Sequence, residues 1–178
     1  MRRILSGLAL AILAAAPAAA ALPVGARAPD FVTTGAMAGK PFQLHLKREL
    51  RKGPVVLYFF PKAFTKGCTL EARAFSEASA EFRKAGARVI GMSADDLPTL
   101  KRFSVEGCRN AFPVASATAA TIRAYDVAMP VVGQLTTMSN RTSYVIGRDG
   151  RIAFVHSELD WSRHVEKSLA AVKSLYNK

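Results

Sequence analysis

An uninterrupted apolar run, Val55–Phe60, lies in the first half of the chain. Its length and its β-branched and aromatic content predict a strand that is buried on both faces. Pro61 ends this strand, because proline has no N–H group to donate to a ladder. Beyond a short loop, apolar residues recur at helical spacing, at Leu70, Ala74, Ala78 and Phe82. This spacing predicts a helix from Cys68 to about Lys84, with Cys68 in its first turn.

The rest of the chain alternates strands with helices. Gly86 suits a helix C-terminus, and Ala87–Ser93 predicts a strand that runs parallel to the first after a helical crossover. The other predicted elements are an extended or hairpin start at Gly25–Leu46, a helix from Asp95 or Asp96 to about Gly107, a short strand at Phe112–Ala115, a short helix at Thr118–Tyr125, an irregular stretch at Ala128–Asn140, a hairpin of Thr142–Ile146 and Arg151–His156 that turns at Arg148-Asp149-Gly150, and a final helix capped by Asp160 with Val165, Leu169, Val172 and Tyr176 facing inward. This order predicts an α/β, thioredoxin-like fold with a central mixed sheet flanked by helices.

The N-terminal segment, residues 1–20, predicts a cleavable secretion signal rather than part of the fold. Arg2 and Arg3 give it a charged start, Ile4–Ala16 is apolar, and Ala18–Ala20 offers small residues for cleavage. The apolar run is short for a membrane-spanning helix, although an uncleaved anchor is the alternative. Cleavage there would leave one domain, residues 21–178, in the periplasm or outside the cell.

The chain is strongly basic, with a formal net charge of +12, or +10 without the two arginines of the signal. Its lysines and arginines are scattered, and no basic run is interleaved with aromatic residues. A solvated basic surface therefore fits better than nucleic-acid binding, which needs a concentrated stripe. The sequence also lacks metal- and cofactor-binding motifs. His45, His156 and His164 share no ligand spacing, so we predict structural or surface roles for them.

The predicted position of Cys68 has chemical consequences. The first turn of a helix presents unpaired N–H groups and the positive end of the dipole, and both favour a thiolate. The dipole supplies at most about 2 kcal/mol, or about 1.5 pKa units. Lowering the pKa of a free cysteine from about 8.5 to about 6 therefore needs a second positive group. The competing interpretation is a structural disulfide with Cys108, because two cysteines in an exported chain invite pairing.

The spacing of Pro61, Thr65 and Cys68 resembles the active-site loop of the peroxiredoxins, in which Pro, three residues, Thr, two residues and Cys follow one another. Three flanking stretches resemble the bacterioferritin comigratory, or PrxQ-like, branch: Gly25–Phe31, Leu57–Phe59 and Gly67–Ala72. The resemblance implies a thiol peroxidase in which the thiolate of Cys68 attacks the O–O bond of a peroxide and becomes a sulfenic acid.

The resemblance also implies roles for four other residues. Thr65 would hydrogen-bond the thiolate and position the peroxide, and Pro61 would shield the thiolate from water. Arg141, just ahead of a predicted strand, would be the second positive group, and Glu71 would orient it. The purely structural alternatives are a helix N-cap for Thr65, a strand end for Pro61, an exposed surface arginine, and a carboxylate that complements the helix dipole for Glu71.

Cys108 departs from one common pattern of this branch. Many PrxQ-like proteins place a resolving cysteine five residues after the reactive one, where this chain has Arg73. Another subset places it in the next helix, and Cys108 lies 40 residues after Cys68. The resemblance thus implies that Cys108 resolves the sulfenic acid as an intramolecular disulfide, with a one-cysteine mechanism as the alternative. A disulfide needs Cα atoms within about 7 Å, so we expect local unwinding beside Gly67 and Gly107.

We therefore predict an exported enzyme that reduces hydrogen peroxide or organic hydroperoxides without a metal or cofactor. A periplasmic thioredoxin-like protein or another thiol reductant would recycle it, because cytosolic thioredoxin cannot reach an exported protein. We expect a monomer or weak dimer, not stably inserted in the membrane and without a nucleic-acid partner. Two other classes compete: a non-catalytic thioredoxin-fold protein with a permanent Cys68–Cys108 disulfide, and a periplasmic thiol oxidant that passes its disulfide to other proteins.

Overall fold

The computed structural model describes residues 21–131 and 134–176. The elements in these ranges follow one another in the order β1 (Val32–Met37), β2 (Lys40–His45), α1 (Leu46–Lys52), β3 (Val55–Phe59), α2 (Lys66–Lys84), β4 (Arg88–Ser93), α3 (Leu97–Glu106), β5 (Val114–Ser116), α4 (Ala119–Ala124), β6 (Ala128–Val131), β7 (Gln134–Ser139), β8 (Thr142–Ile146), β9 (Ile152–Ser157) and α5 (His164–Ser174). The predicted signal, residues 1–20, lies outside the described residues, so its cleavage stays a prediction. Within the described ranges, no helix is long and apolar enough to cross a membrane.

A mixed sheet of seven strands forms the centre, in the order β2-β1-β5-β4-β3-β8-β9. Strand β3 pairs in parallel with β4 and antiparallel with β8. Every residue of β3 is buried, as its unbroken apolar sequence predicts. In the β3–β8 register Phe59 lies opposite Thr142, so the end of β3 meets the start of β8. This register brings Arg141 next to the loop that follows β3.

Successive side chains of β3 enter two different cores, because a strand alternates its faces. Tyr58 and Phe60 pack with the buried faces of α2, α3 and α5. Leu57 and Phe59 pack on the other face, with Tyr125 of the segment after α4 and with β8. Aromatic stacking ties α2 to the sheet, with 4.4 Å between the ring centroids of Tyr58 and Phe75. This double burial confirms the predicted mixed sheet flanked by helices.

Several local predictions are also confirmed. Gly86 has a φ of 71°, the left-handed conformation that closes a helix at low cost to glycine. The side chain of Asp96 accepts a hydrogen bond from the Thr99 N–H group and caps α3. Strands β1 and β2 form the predicted starting hairpin, and β8 and β9 form the second one.

The buried face of α2 differs from the predicted one. Buried positions of α2 are Cys68, Glu71, Ala72, Phe75, Ser79 and Phe82, whereas Leu70, Ala74 and Ala78 are only partly buried. The predicted stripe counted apolar residues alone, and it therefore missed Glu71 and Ser79, which face inward. The helix also begins at Lys66, two residues before the predicted start, so that Cys68 is its third residue.

Three predictions in the second half of the chain are wrong. Within the stretch predicted to be irregular, β6 and β7 pair as antiparallel strands, with a register shift between Ala128 and Pro130. Proline is tolerated there because an edge strand does not need every N–H group. Asp160 does not cap α5: its carboxylate accepts from the Ser162 N–H group, and the helix begins only at His164. Tyr176 lies beyond α5 and is 57% exposed.

Candidate active site

Cys68 lies in the first turn of α2, at the end of the loop that leaves β3. Three hydrogen bonds fix this loop: the Phe60 carbonyl accepts from Ser139 Oγ at 3.0 Å, the Phe60 N–H group donates to the Met92 carbonyl at 3.0 Å, and the Ala63 N–H group donates to the Asp95 carboxylate at 2.7 Å. The Cys68 side chain is 1% exposed. The loop thus holds a buried thiol at the positive end of a helix.

Arg141 lies against this thiol. Its Nη2 is 3.5 Å from Sγ of Cys68, and its Nε donates to the Leu159 carbonyl at 2.8 Å. The guanidinium is nearly buried, so water screens its charge only weakly. Gly67 makes room for it, because a Cβ atom at that position would lie 3.2 Å from Nη2. The surface interpretation of Arg141 is therefore wrong, and the structure brings it together with Cys68.

Glu71 completes the contact on the other side of Arg141. Its Oε2 accepts from Nη1 of Arg141, and the whole side chain is buried. Burial raises the pKa of Glu71 to about 8, although the neighbouring Arg141 acts in the opposite direction. Burial thus favours the neutral form of the carboxyl group, whereas the hydrogen bond from Arg141 favours the ionised form. The structure brings Cys68, Glu71 and Arg141 into one buried cluster.

Thr65 and Pro61 lie at the entrance rather than inside. The backbone of Thr65 is the N-cap of α2, and its carbonyl accepts from the Thr69 N–H group. Its hydroxyl makes no capping bond and instead donates to the Lys62 carbonyl at 3.0 Å. The Thr65 side chain is exposed and Pro61 is half-buried. The side-chain cap is therefore wrong for Thr65, whereas contact of Thr65 or Pro61 with a thiolate stays a prediction.

Cys108 follows the end of α3 and is fully buried. Both cysteines are free thiols, and burial raises the pKa of Cys108 far above its ordinary value. Arg109, the next residue, pairs with Glu77 at 3.4 Å. Glu77 lies nine residues beyond Cys68 in α2, or about 13 Å along the helix axis. Cys68 and Cys108 belong to the same buried core cluster, and no disulfide joins them.

The backbone beside Cys108 has unusual features. Gly107 has an ordinary helical φ of −84°, but a Cβ atom there would lie 2.5 Å from the Phe103 ring. Arg109 and Asn110 both have positive φ values, 50° and 59°, which are sparsely populated by residues other than glycine. The glycine is thus required by packing, and the two residues after Cys108 carry backbone strain.

His164 belongs to the site, although the sequence pattern did not indicate this. It is fully buried in the first turn of α5, and its Nδ1 lies 2.9 Å from Ser143 Oγ and 3.7 Å from Oε1 of Glu71. His156 is also buried, whereas His45 is only half-buried, so a surface role is wrong for His164 and His156. A sequence signal for the burial of His164 was its four-residue spacing from Ser168 and Val172, which places the three side chains on one helical face.

Other features do not form a second site of the same kind. A cavity of about 610 Å³ lies at the far end of α2, lined in part by Phe82, Arg88 and Phe112, and includes neither Cys68 nor Arg141. Among residues 21–131 and 134–176, no three His, Cys, Asp or Glu side chains are grouped to hold a metal ion.

Comparisons with known proteins agree with one another. Residues 24–155 match the sequence model of the AhpC/TSA family. The chain is 34% identical to a putative peroxiredoxin of Mycobacterium tuberculosis over 71% of this chain and 82% of that protein. It is 31% identical to chloroplastic peroxiredoxin Q of Populus jackii over 84% and 68% of the two chains. The crystal structure of peroxidoxin BcpB from M. tuberculosis matches with a TM-score of 0.73 and 32% identity, covering 85% and 97% of the two chains.

Proposed function

This chain belongs to the AhpC/TSA family and is a thiol peroxidase of the peroxiredoxin type, and from that premise we propose that Cys68 is its peroxide-attacking nucleophile. The relatives named peroxiredoxin Q confirm the predicted PrxQ-like resemblance, and the structural match confirms the thioredoxin-like fold. The family favours the peroxidase over the non-catalytic alternative, and the two free thiols agree with that choice.

The observation that carries the proposal is the 3.5 Å contact between Sγ of Cys68 and Nη2 of Arg141. Two unit charges at that separation attract by about 5 kcal/mol at an effective dielectric constant of about 20. The helix dipole adds at most about 2 kcal/mol. Arg141 is therefore the larger of the two contributions, and it stabilises a thiolate that the buried position alone would disfavour.

The proposed reaction is a nucleophilic displacement on oxygen. The thiolate of Cys68 forms an S–O bond to one peroxide oxygen, the O–O bond breaks, and the other oxygen leaves as hydroxide or alkoxide. Solvent supplies a proton to the leaving oxygen, giving water or an alcohol. The sulfur is oxidised to a sulfenic acid and the peroxide is reduced. Arg141 stabilises the negative charge on both the attacking sulfur and the leaving oxygen.

The next step in the proposal is resolution by Cys108. Its thiol attacks the sulfur of the sulfenic acid, an intramolecular disulfide forms, and water leaves. Both thiols are buried and unbonded, so local opening must precede this step. The strained residues Arg109 and Asn110 lower the cost of opening on the Cys108 side, because unwinding relieves their backbone conformation.

We further propose that the enzyme works outside the cytoplasm. The charged start, the apolar run and the small residues of segment 1–20 support export. An exported enzyme needs a thiol reductant in its own compartment, of the thioredoxin-like or another thiol class. Hydrogen peroxide and organic hydroperoxides both fit the proposed reaction, and a monomer or weak dimer fits a site built from one chain.

The test of the nucleophile is Cys68→Ser, with Cys108→Ser as the matched control. Each variant is mixed with one equivalent of hydrogen peroxide, and peroxide loss and intact mass are followed. We expect Cys68→Ser to consume no peroxide and gain no oxygen, whereas Cys108→Ser consumes one equivalent and gains one oxygen. Rapid peroxide reduction by Cys68→Ser would contradict the proposal. Circular dichroism of both variants checks that the nearly isosteric exchange leaves the fold unchanged.

A further inference from the structure

A buried polar network continues from the active site to α5. Oε2 of Glu71 accepts from Arg141, while Oε1 points to Nδ1 of His164 across 3.7 Å. Among the described residues, Oε1 has no hydrogen-bond partner, although the side chain is fully buried. A buried acceptor without a hydrogen-bond partner lowers the stability of the fold by about 1–3 kcal/mol. A hydrogen bond between Oε1 and His164 of α5 would remove this cost.

The hydrogen bonds of His164 fix its tautomer. Nε2 lies 3.0 Å from the Glu158 carbonyl oxygen, which can only accept, so Nε2 carries the proton. Burial lowers the pKa of His164 to about 4, and the ring is neutral near pH 7. Nδ1 is then an acceptor with a single lone pair, which either the Ser143 hydroxyl, 2.9 Å away, or a protonated Glu71 carboxyl group can use. An acceptor nitrogen of His164 thus faces the unpartnered oxygen of Glu71.

Two acceptors that face each other need a proton between them. An ionised Glu71 would direct a negative oxygen at the lone pair of Nδ1, whereas a protonated Oε1 would direct an O–H group at it. The raised pKa of Glu71 agrees with the protonated form. A small side-chain rotation would bring the 3.7 Å separation into hydrogen-bond range.

The other charged groups around His164 act on its ring in both directions. The His156 ring of β9 lies 4.5 Å away, and Lys167 Nζ lies 3.2 Å from Nδ1 of His156. His156 and Arg141 disfavour a proton on His164, whereas Glu158 favours one. Two further charged residues lie near this pair, Asp160 beside His164 and Arg163 beside His156. Burial outweighs the carboxylates, so the neutral ring is the form that meets Glu71.

We propose that His164 is a positioning residue of the peroxidase site, whose Nδ1 accepts a hydrogen bond from the protonated Glu71 carboxyl group, in exchange with the Ser143 hydroxyl, and so favours the neutral form of that group. A neutral Glu71 leaves the charge of Arg141 available to the Cys68 thiolate. The inference rests on the proposed role of Cys68 as nucleophile. His164 touches neither the thiol nor the peroxide in this scheme, and it acts through Glu71 and Arg141.

The first experiment replaces the ring nitrogen that faces Glu71. His164→Gln keeps an amide donor for the Glu158 carbonyl but lacks Nδ1. Alkylation of Cys68 by iodoacetamide is measured from pH 4 to 10 in the full chain, with mass spectrometry to separate the two cysteine peptides. We expect the alkylation rate below the pH midpoint to fall about three- to tenfold, because Glu71 ionises more readily and opposes Arg141. His156→Gln is the matched control and should leave the rate unchanged.

The decisive measurement repeats the exchange in a Glu71→Gln background, where the amide cannot ionise. We expect His164→Gln to change the alkylation profile in the natural chain and to leave it unchanged in the Glu71→Gln chain. An equal change in both backgrounds would show a structural role for His164, and no change in the natural chain would also overturn the proposal.

A second variant protects the test against misfolding. His164→Asn places an amide near the Nδ1 position, where its NH₂ group can donate to an ionised Glu71, and we expect the same direction of change. An unchanged profile in a folded His164→Asn chain would count against the proposal. The readout does not depend on turnover, so peroxide reduction that persists in Cys68→Ser would overturn the proposed function while leaving the alkylation result to judge the network.

Discussion

Replacing Arg141 by alanine removes the charge that lies closest to the candidate nucleophile. The 3.5 Å separation corresponds to an attraction of about 5 kcal/mol at an effective dielectric constant of about 20. This energy corresponds to a factor of about 3,000 in an equilibrium constant, since a factor of ten is worth about 1.4 kcal/mol. Water entering the vacated space offsets part of the loss. We therefore expect the rate of Cys68 alkylation at pH 7 to fall by about ten- to a thousandfold.

Arg141→Lys separates the effect of charge from that of geometry. Lysine keeps a positive charge but cannot bind Glu71 and the Leu159 carbonyl while also reaching the thiol. We expect it to lie between the natural protein and Arg141→Ala, in both the rate of Cys68 alkylation at pH 7 and the rate of peroxide reduction. Peroxide reduction by Arg141→Ala should be slower by at least about 100-fold, because thiolate and leaving-oxygen stabilisation are lost together.

The measurement is the alkylation rate of Cys68 between pH 4 and 10, together with thermal unfolding of each variant. A Cys68 alkylation rate at pH 7 that changes by less than about twofold in a folded Arg141→Ala chain would refute the electrostatic argument. In that case, the helix terminus alone would have to account for the reactivity of the thiol.

Three further outcomes are expected. Cys108→Ser should stall as a sulfenic acid and accumulate sulfinic acid under repeated peroxide turnover, as read by intact mass; undiminished turnover with the same thiol donor would remove Cys108 from the mechanism. Between the His164 pKa of about 4 and the ordinary histidine pKa of about 6.5, the unfolded chain binds more protons than the native protein. Acidification across that pH range should therefore lower the free energy of unfolding by up to about 3 kcal/mol. The free energy of unfolding of His164→Gln, measured in urea, should fall less over the same range. N-terminal sequencing of envelope protein should find Ala21 or Leu22 first, whereas an intact Met1 form in the membrane fraction would favour an anchor.

The sequence predicted the centre of the fold because one signal dominates there. Val55–Phe60 is too apolar to lie anywhere but a two-sided core, and Gly86 closes the helix that follows. The position of the Cys68 thiol at the start of that helix follows from the end of this strand and the extent of the helix. The active-site role of Arg141 was predicted only through the family resemblance of the loop spacing, because nothing in its local sequence distinguishes it from a surface arginine.

The parts that could not be predicted depend on contacts between distant residues. Glu71 faces inward because Arg141 meets it across 70 residues, and hydrophobic periodicity counts such a position as surface. The position of His164 in the site could not be predicted for the same reason, since its neighbours Ser143 and Glu71 come from β8 and α2. Thr65 could be proposed as a helix N-cap from its residue type, and its backbone is the N-cap of α2, but its hydroxyl donates to the Lys62 carbonyl instead of capping the helix.

The pairing of β3 with β8 has a consequence for the newly made chain. Phe59 and Thr142 are 83 residues apart in sequence, so this contact closes late, after most of the chain has been synthesised. A one-residue slip in the ladder would turn β8 over and carry Arg141 to the wrong face of the sheet. On the proposed mechanism, an emerging or export-competent chain therefore carries Cys68 without its cation. The Cys68 thiol would thus become highly reactive towards peroxide only when β8 pairs with β3. In a chain that is exported unfolded, the thiol would not yet have this reactivity.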